Sequence, residues 1–369
     1  MARATANVNR HLAAEGSDLY VPVRLGDLPT AVVTPLKIVV FEATEWEQRA
    51  CRRLEPHYKV DCVAGRLTAD EAALHADADA ITTFIRSDLR AAVLRKMPNI
   101  RLIATRSAGF DHIDLDYCRS AAIAVCNVPD YGDHTVAEHV FALLLALNRR
   151  IVEAVERTRR GDFSREGLQG FELAGKTLGV VGAGRIGRRV IAIAKGFGME
   201  TIVFDTRPDP ASAKALGFRY AGLDELLAAA DVVTLHLPGG QSTHNLLGAA
   251  QFAKMKPGAV LINTSRGGAV DSEALVQALA FGRLAGAGLD VVAEEGSLVE
   301  EAEILRPGAA PSAERMRTLL ADHALLDRTD VVITPHIAYD TREAVVRIIE
   351  TTLDNIAAFG AGSPRNLVV

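Results

Sequence analysis

Gly182-Ala-Gly-Arg-Ile-Gly187 sits at the middle of the chain, between an apolar run, Thr177–Val181, and a helical pattern, Arg185–Lys195. A G-x-G-x-x-G sequence has structural meaning only in that setting, with a strand before it and a helix after. Gly182 permits the tight turn, Gly184 lets the backbone approach a pyrophosphate, and Gly187 lets the helix lie close against the strand. The helix N-terminus then offers free N–H groups and a positive dipole end to an anion. The next apolar run, Thr201–Phe204, ends in Asp205, one strand beyond the glycine turn. A carboxylate there accepts hydrogen bonds from both ribose hydroxyls and repels a 2′-phosphate, so the expected cofactor is NAD rather than NADP. Arg207 reads as a solvent-exposed loop arginine.

A fingerprint this far along leaves a long patterned stretch ahead of it, from Lys37 onward. β-Branched and apolar runs recur there at Lys37–Phe41, Lys59–Val63, Ala80–Phe84, Arg101–Thr105 and Ile123–Asn127, with helical stretches such as Glu45–Leu54 between several of them. A long helical stretch, Thr135 to about Val155, leads to a second series: Thr177–Val181, Thr201–Phe204, Asp231–Leu235, Ala259–Asn263 and Gly286–Asp290. A last run, Val331–Thr334, precedes a closing helix, Thr341 to about Phe359. Strands alternating with helices predict an α/β fold of two doubly wound parallel-sheet units. Residues 1–36 lack the pattern and the apolar core of a secretory signal, and are read as an N-terminal extension. The Glu-rich stretch Glu294–Thr329 reads as a solvated loop with a helix, Arg315–Leu326, inside it.

Composition narrows the function. Of 369 residues, 41 are basic and 46 acidic, a net charge of −5 that gives no global attraction for nucleic acid or an anionic membrane. The longest apolar run, Val140–Leu147, is far short of the roughly 20 residues that span a bilayer. Four cysteines without Cys-x-x-Cys spacing predict neither a disulfide scaffold nor a zinc site, and a reducing, cytoplasmic compartment. Glu138-His139 lacks the spacing of a zinc protease, and no metal is expected. His112 and His134 stand alone, and buried small residues are the simplest reading of Cys118 and Cys126.

Three polar residues follow strand-like runs beyond the fingerprint: Arg266, Glu295 and His336. In open α/β sheets the carboxyl ends of strands face the ligand crevice. Each residue alone has a bland reading: a surface ion pair, a solvated glutamate, a structural histidine. Together they suit reduction of a 2-oxo acid. Histidine supplies a proton near neutral pH to the carbonyl oxygen on which charge develops. A carboxylate on the other ring nitrogen fixes the tautomer and favours imidazolium. A guanidinium holds the substrate carboxylate through its planar fork.

The local sequences around these residues resemble the D-isomer-specific 2-hydroxyacid dehydrogenase family, and within it the D-lactate dehydrogenase branch. The resemblance lies in Thr105-Arg-Ser-Ala-Gly-Phe-Asp-His-Ile-Asp114, Asn127-Val-Pro-Asp-Tyr-Gly132 with Val136-Ala-Glu-His139, Gly179–Gly187, Asn263-Thr-Ser-Arg-Gly267, Gly288-Leu-Asp-Val-Val-Ala-Glu-Glu295 and Thr334-Pro-His-Ile-Ala-Tyr339. These stretches keep the family's order over about residues 37–360.

The resemblance implies that Arg266, Glu295 and His336 are catalytic, the five-residue offset from Asp290 selecting Glu295 over Glu294. It implies cofactor contacts at Arg185, Ile186, Leu237, Pro238, Thr243, Thr264 and Ser265, with Asp290 as partner of the nicotinamide carboxamide. It implies a substrate cradle of Ala108 and Gly109 with Tyr131 and Tyr339 beside it. The implied architecture is a Rossmann NAD-binding domain, 135–329, inserted into a flavodoxin-like substrate domain, 37–134 and 330–369, in a homodimer. The chain departs from many members in having Gly296 where they have proline, in its long loop from Glu295 to His336, and in Tyr339, often phenylalanine in lactate enzymes.

The implied activity is interconversion of a small 2-oxo acid and a D-2-hydroxy acid, with His336 as proton donor and acceptor. The alternatives are an NAD(H)-sensing, co-repressor-like binding protein, or a glyoxylate or hydroxypyruvate reductase. Glu295 argues against the formate branch, which has glutamine there, and the short stretch from His336 to Val369 disfavours a phosphoglycerate dehydrogenase with a regulatory domain.

Overall fold

Both alternating series form parallel sheets. A computed structural model of the chain describes residues 36–55, 57–294 and 312–369. Strands β1 (Lys37–Val40), β2 (Lys59–Cys62), β3 (Ala80–Thr83), β4 (Leu102–Thr105) and β5 (Ala124–Cys126) pair in the order β2-β1-β3-β4-β5, all parallel. This is the flavodoxin-like order. The outer edge of β5 is covered by the chain's end, where Val368 N–H donates to Val125 O at 2.7 Å and Val125 N–H to Val369 O at 2.8 Å. An open edge is thereby closed.

The second sheet comprises β6 (Thr177–Val181), β7 (Glu200–Phe204), β8 (Arg219–Tyr220), β9 (Val232–Leu235), β10 (Ala259–Asn263), β11 (Leu284–Leu289) and β12 (Val331–Ile333). Their order, β12-β11-β10-β9-β6-β7-β8, is the doubly wound nucleotide-binding arrangement with one further edge strand. Its direction reverses between β6 and β9, so the glycine turn after β6 opens at the switch point. Val180, Val232, Val260 and Ile262 bury one face under the helix Asp133–Asn148, through Ala137, Val140, Phe141 and Leu144.

The structure differs from the expectations at four points. The helical stretch expected over Thr135–Val155 is two helices, Asp133–Asn148 and Ile151–Arg159, divided at Arg150 with φ +48°. The apolar stripe ends at Leu147, and the Asn148 amide turns to pair with both backbone groups of Phe171, at 2.6 and 2.8 Å. The return to the first unit comes later than residue 330. β12 pairs with β11 in the register Ala287↔Val331 to Leu289↔Ile333, so residues 331–333 belong to the second sheet. The helix Arg342–Gly360 makes the return, packing Ile349, Leu353 and Ile356 with Ile38, Val40, Leu102 and Ala104 of the first sheet. β8 was not expected; it is two residues long and lies at the sheet edge. The helix expected over Arg315–Leu326 runs Ala313–Leu326, with the Ser312 hydroxyl capping Arg315 N–H. Residues 1–35, and the stretch 295–311 with Glu295 and Gly296, lie outside the described residues.

Candidate active site

The glycine turn carries out its three expected tasks in a measurable way. Gly182 has φ +99°, and a Cβ there would lie 2.3 Å from His236 O. A Cβ at Gly187 would lie 2.1 Å from Gly182 O, so the helix Arg185–Gly196 approaches its strand as only glycine allows. Gly184 faces open space. Asp205 braces the turn: Oδ2 accepts from Ala183 N–H at 2.7 Å, and Oδ1 from Arg207 N–H at 2.8 Å. Arg207 is exposed. Burial pushes the His236 imidazole down to about 3, so it adds no positive charge to this turn.

The neighbouring loops complete a nucleotide-shaped rim. The Thr243 hydroxyl donates to Pro238 O at 2.9 Å and Gly240 O at 3.1 Å, folding the loop after β9, which contains Leu237, back on itself. The Thr264 hydroxyl is buried without a partner, a polar atom that a bound ligand would satisfy. That orphan, the open backbone at Gly184 and the half-buried Asp205 carboxylate fit a dinucleotide. Two expected contacts are otherwise engaged. Ser265 donates through both N–H and hydroxyl to Asn263 Oδ1, at 3.0 and 2.9 Å. Arg185 reaches across to Asp130 and Asp133, at 2.7 and 2.8 Å.

A cavity of about 290 Å³ lies where the two sheets' strand ends meet. Its wall brings together Ala108, Gly109, Tyr131, Ile186, Thr264, Ser265, Arg266, Asp290, His336 and Tyr339. Arg185, Asp205, Leu237, Pro238 and Thr243 are not part of that wall.

The cradle at Ala108 and Gly109 is set by what holds the carbonyls. Ser107 O accepts from Val128 N–H at 3.0 Å, and Ala108 O from the Asn127 amide at 2.8 Å. In a trans peptide the N–H points opposite the C=O, so the N–H groups of Ala108 and Gly109 turn away from that strand edge. The Ala108 N–H lies against the Tyr131 hydroxyl. The Asn263 side chain shapes the Arg266 turn, accepting from Ser265 and donating to Arg266 O at 2.9 Å. The guanidinium reaches Gly109 closely enough that a Cβ there would lie 1.9 Å from Nη2.

His336 occupies φ +54°, left-handed backbone that few non-glycine residues adopt. Asp290 holds it there. Asp290 O accepts from His336 N–H at 3.0 Å. Its carboxylate accepts from the Thr334 hydroxyl at 2.5 Å and from Ile337 and Ala338 N–H at 2.9 Å each, with His139 Nε2 at 3.4 Å. Burial works to raise the Asp290 pKa, but these donors outweigh it and hold the carboxyl below its ordinary value. Asp290, read as a nicotinamide partner, serves the His336 turn in this structure.

Aromatic rings line the remaining side. Tyr339 packs on Phe84 at 5.2 Å, Tyr131 at 6.3 Å and His336 at 6.5 Å between ring centroids. Burial pushes the Tyr339 phenol up to about 12 and raises Tyr131, which Arg266 opposes, so both are neutral donors. Phe84, Ile85, Asp111 and His112 also line the cavity and were missed as site residues. Phe84 and Ile85 follow a strand end, and the strand-end rule reaches them. Their loop is fixed by Glu42, whose carboxylate accepts from Arg86 and Ser87 N–H at 2.9 Å each. The fully buried Arg106 holds Glu42 O at 2.9 Å and Phe41 O at 2.7 Å. Burial lowers the pKa of His112, against the pull of Glu42 and Asp111. Among the described residues no group of side chains could hold a metal ion, and no helix is long and apolar enough to cross a membrane.

The model of the D-isomer specific 2-hydroxyacid dehydrogenase NAD binding domain matches residues 141–338. The chain belongs to this family. D-lactate dehydrogenase of Escherichia coli is 34% identical, covering 90% of this chain and 100% of that protein. A glyoxylate reductase of Korarchaeum cryptofilum is also 34% identical, covering 90% of this chain and 96% of that protein. The structure of Aquifex aeolicus D-lactate dehydrogenase complexed with NAD and lactic acid superimposes with a TM-score of 0.79 at 34% identity, covering 88% of this chain and 96% of that one. The family match makes the second sheet an NAD-binding domain and the chain an oxidoreductase of the 2-hydroxyacid class.

Proposed function

We propose that the chain interconverts a small 2-oxo acid and its D-2-hydroxy acid with NAD as cofactor. One observation carries this reading: Arg266, His336 and the Ala108–Gly109 backbone, from three separate loops, line a single cavity beside the glycine turn. Gly182, Gly184, Gly187 and Asp205 hold the cofactor, with Ile186, Thr243 and Thr264 beside it. Bound NADH supplies the hydride. Arg266 and the two N–H groups hold the substrate carboxylate. The guanidinium also polarises the carbonyl, and His336 donates the proton to its oxygen as charge develops there. Glu295 is the carboxylate that orients His336 in this reading. Tyr131, Tyr339 and Phe84 face the substrate side chain. The domain roles follow: the first sheet with the closing helix carries the substrate, and the inserted second sheet carries the cofactor. The same reading makes the protein a homodimer of the cytoplasm.

NADH oxidation with pyruvate, phenylpyruvate, glyoxylate and hydroxypyruvate tests it. Turnover of at least one is expected, and turnover of none would leave the NAD(H)-sensing reading in its place. The glyoxylate reductase relative keeps the smallest acids in the panel. His336→Ala is expected to lower kcat by about 10²–10⁴-fold, the range for a general acid, with the NADH Kd little changed. Retained turnover refutes the assigned proton donor.

A further inference from the structure

We propose that Asp111 is a positioning residue: it holds the Arg266 guanidinium across the cleft and so sets how well the 2-oxo acid carboxylate is bound. This rests on the function proposed above. Asp111 stands two residues beyond Gly109, on the substrate side of the cleft, whereas Arg266 follows β10 on the cofactor side. Arg266 Nε donates to Asp111 Oδ2 at 2.9 Å, and Nη1 donates to Ser265 O at 2.8 Å. Two bonds at different nitrogens fix a planar group against rotation about its stem. The third nitrogen, Nη2, is the one that lies against Gly109, at the cradle.

Asp111 also meets a third loop. A Cβ placed at Gly239, directly after Pro238, would lie 2.7 Å from Asp111 Oδ1 and 2.8 Å from Oδ2. The Asp111 carboxylate is thus seated between the loops after β9 and β10, in space that only a glycine at 239 leaves clear. Side-chain exposures of 36% for Arg266 and 48% for Asp111 make the pair a poor source of stability. What it supplies is geometry, and a misplacement near 1 Å at a reacting centre costs about 100-fold in rate.

The experiment compares wild type with Asp111→Ala, Asp111→Asn and Gly239→Ala in the full chain. It reads kcat and KM for the best 2-oxo acid, inhibition by oxamate, and the NADH Kd by fluorescence titration. Asp111→Ala is expected to raise KM and the oxamate Ki about tenfold or more, with NADH Kd within about twofold. Asp111→Asn keeps an acceptor for Nε–H and is expected to restore most of that loss. Gly239→Ala displaces the carboxylate from the other loop and is expected to reproduce it, with no further loss in the double variant. Fully additive losses overturn the link to the β9 loop. An Asp111→Ala chain with unchanged KM and Ki overturns the proposal. So does a fall in KM in both Asp111 variants, which would make the carboxylate a competitor of the substrate. A wild type that turns over no 2-oxo acid overturns the proposed function, and with it this one.

Discussion

His336 shows how a single residue's backbone is tied to its proposed work. Left-handed backbone at a histidine costs on the order of 1–3 kcal/mol and persists only where neighbours enforce it. Here the enforcing group is Asp290, whose main chain and side chain both bind the Thr334–Ala338 turn. The expense buys a fixed imidazole at the cavity wall. Asp205 likewise has two duties, and they can be separated. Its carboxylate braces the glycine turn through Ala183 N–H, a role that serves NADH and NADPH alike. Its charge repels a 2′-phosphate, a role that discriminates between them. Asp205→Ala is therefore expected to weaken NADH binding about tenfold or more, while the ratio of NADPH to NADH affinity rises. Fluorescence titration with both cofactors measures this. An unchanged ratio would confine Asp205 to bracing the turn.

The helix Arg185–Gly196 and its strand β6 are the element on which cofactor binding depends. A methyl group at Gly187 meets backbone, Gly182 O at 2.1 Å and its carbon at 3.2 Å, and backbone cannot rotate away as a side chain can. Gly187→Ala is expected to push the helix off the strand, costing about 1–3 kcal/mol of stability and most of the NADH affinity. Thermal melts with and without NADH check it, and a variant with wild-type Tm and cofactor shift would contradict the packing argument. β6 and β10 were legible in the sequence to the residue, as buried runs closed by glycine or by an asparagine turn. β12 was legible as a strand but not as to its sheet, because its pairing with β11 joins segments far apart in the sequence and leaves no local mark. Arg266 and His336 both line the cavity; position after a strand left each with a bland reading in the sequence, and it was the family resemblance of the local sequences that singled them out. Asp111 was not singled out. It lies in a recognised motif, but its partners Arg266 and Gly239 stand far along the chain, and only the folded cleft brings them together.

At the scale of the molecule, the chain crosses between the two units twice, and the crossings run side by side. Thr135 and Thr341 share a hydrogen bond of 3.1 Å between them, and Arg347 holds Tyr131 O at 2.7 Å. None of the residues of the helix Ile151–Arg159 is buried among the described residues. Ile151 and Val152 are each 49% exposed, Val155 is 39% exposed, and Phe163 just beyond is 79% exposed. Grouped apolar exposure of this kind marks a surface that another protein covers. The proposed homodimer supplies that cover through the NAD-binding domain. Wild type is expected to sediment at twice the chain mass at micromolar concentration. The double variant Ile151→Asp, Val155→Asp is expected to sediment as a monomer, since two buried carboxylates without partners oppose association. Neither Ile151 nor Val155 lines the cavity, so the variant's NADH Kd is expected to stay within about twofold of wild type, as for sites that do not couple. A wild type that sediments as a monomer ends the dimer proposal, and a variant that stays dimeric moves the interface to another face.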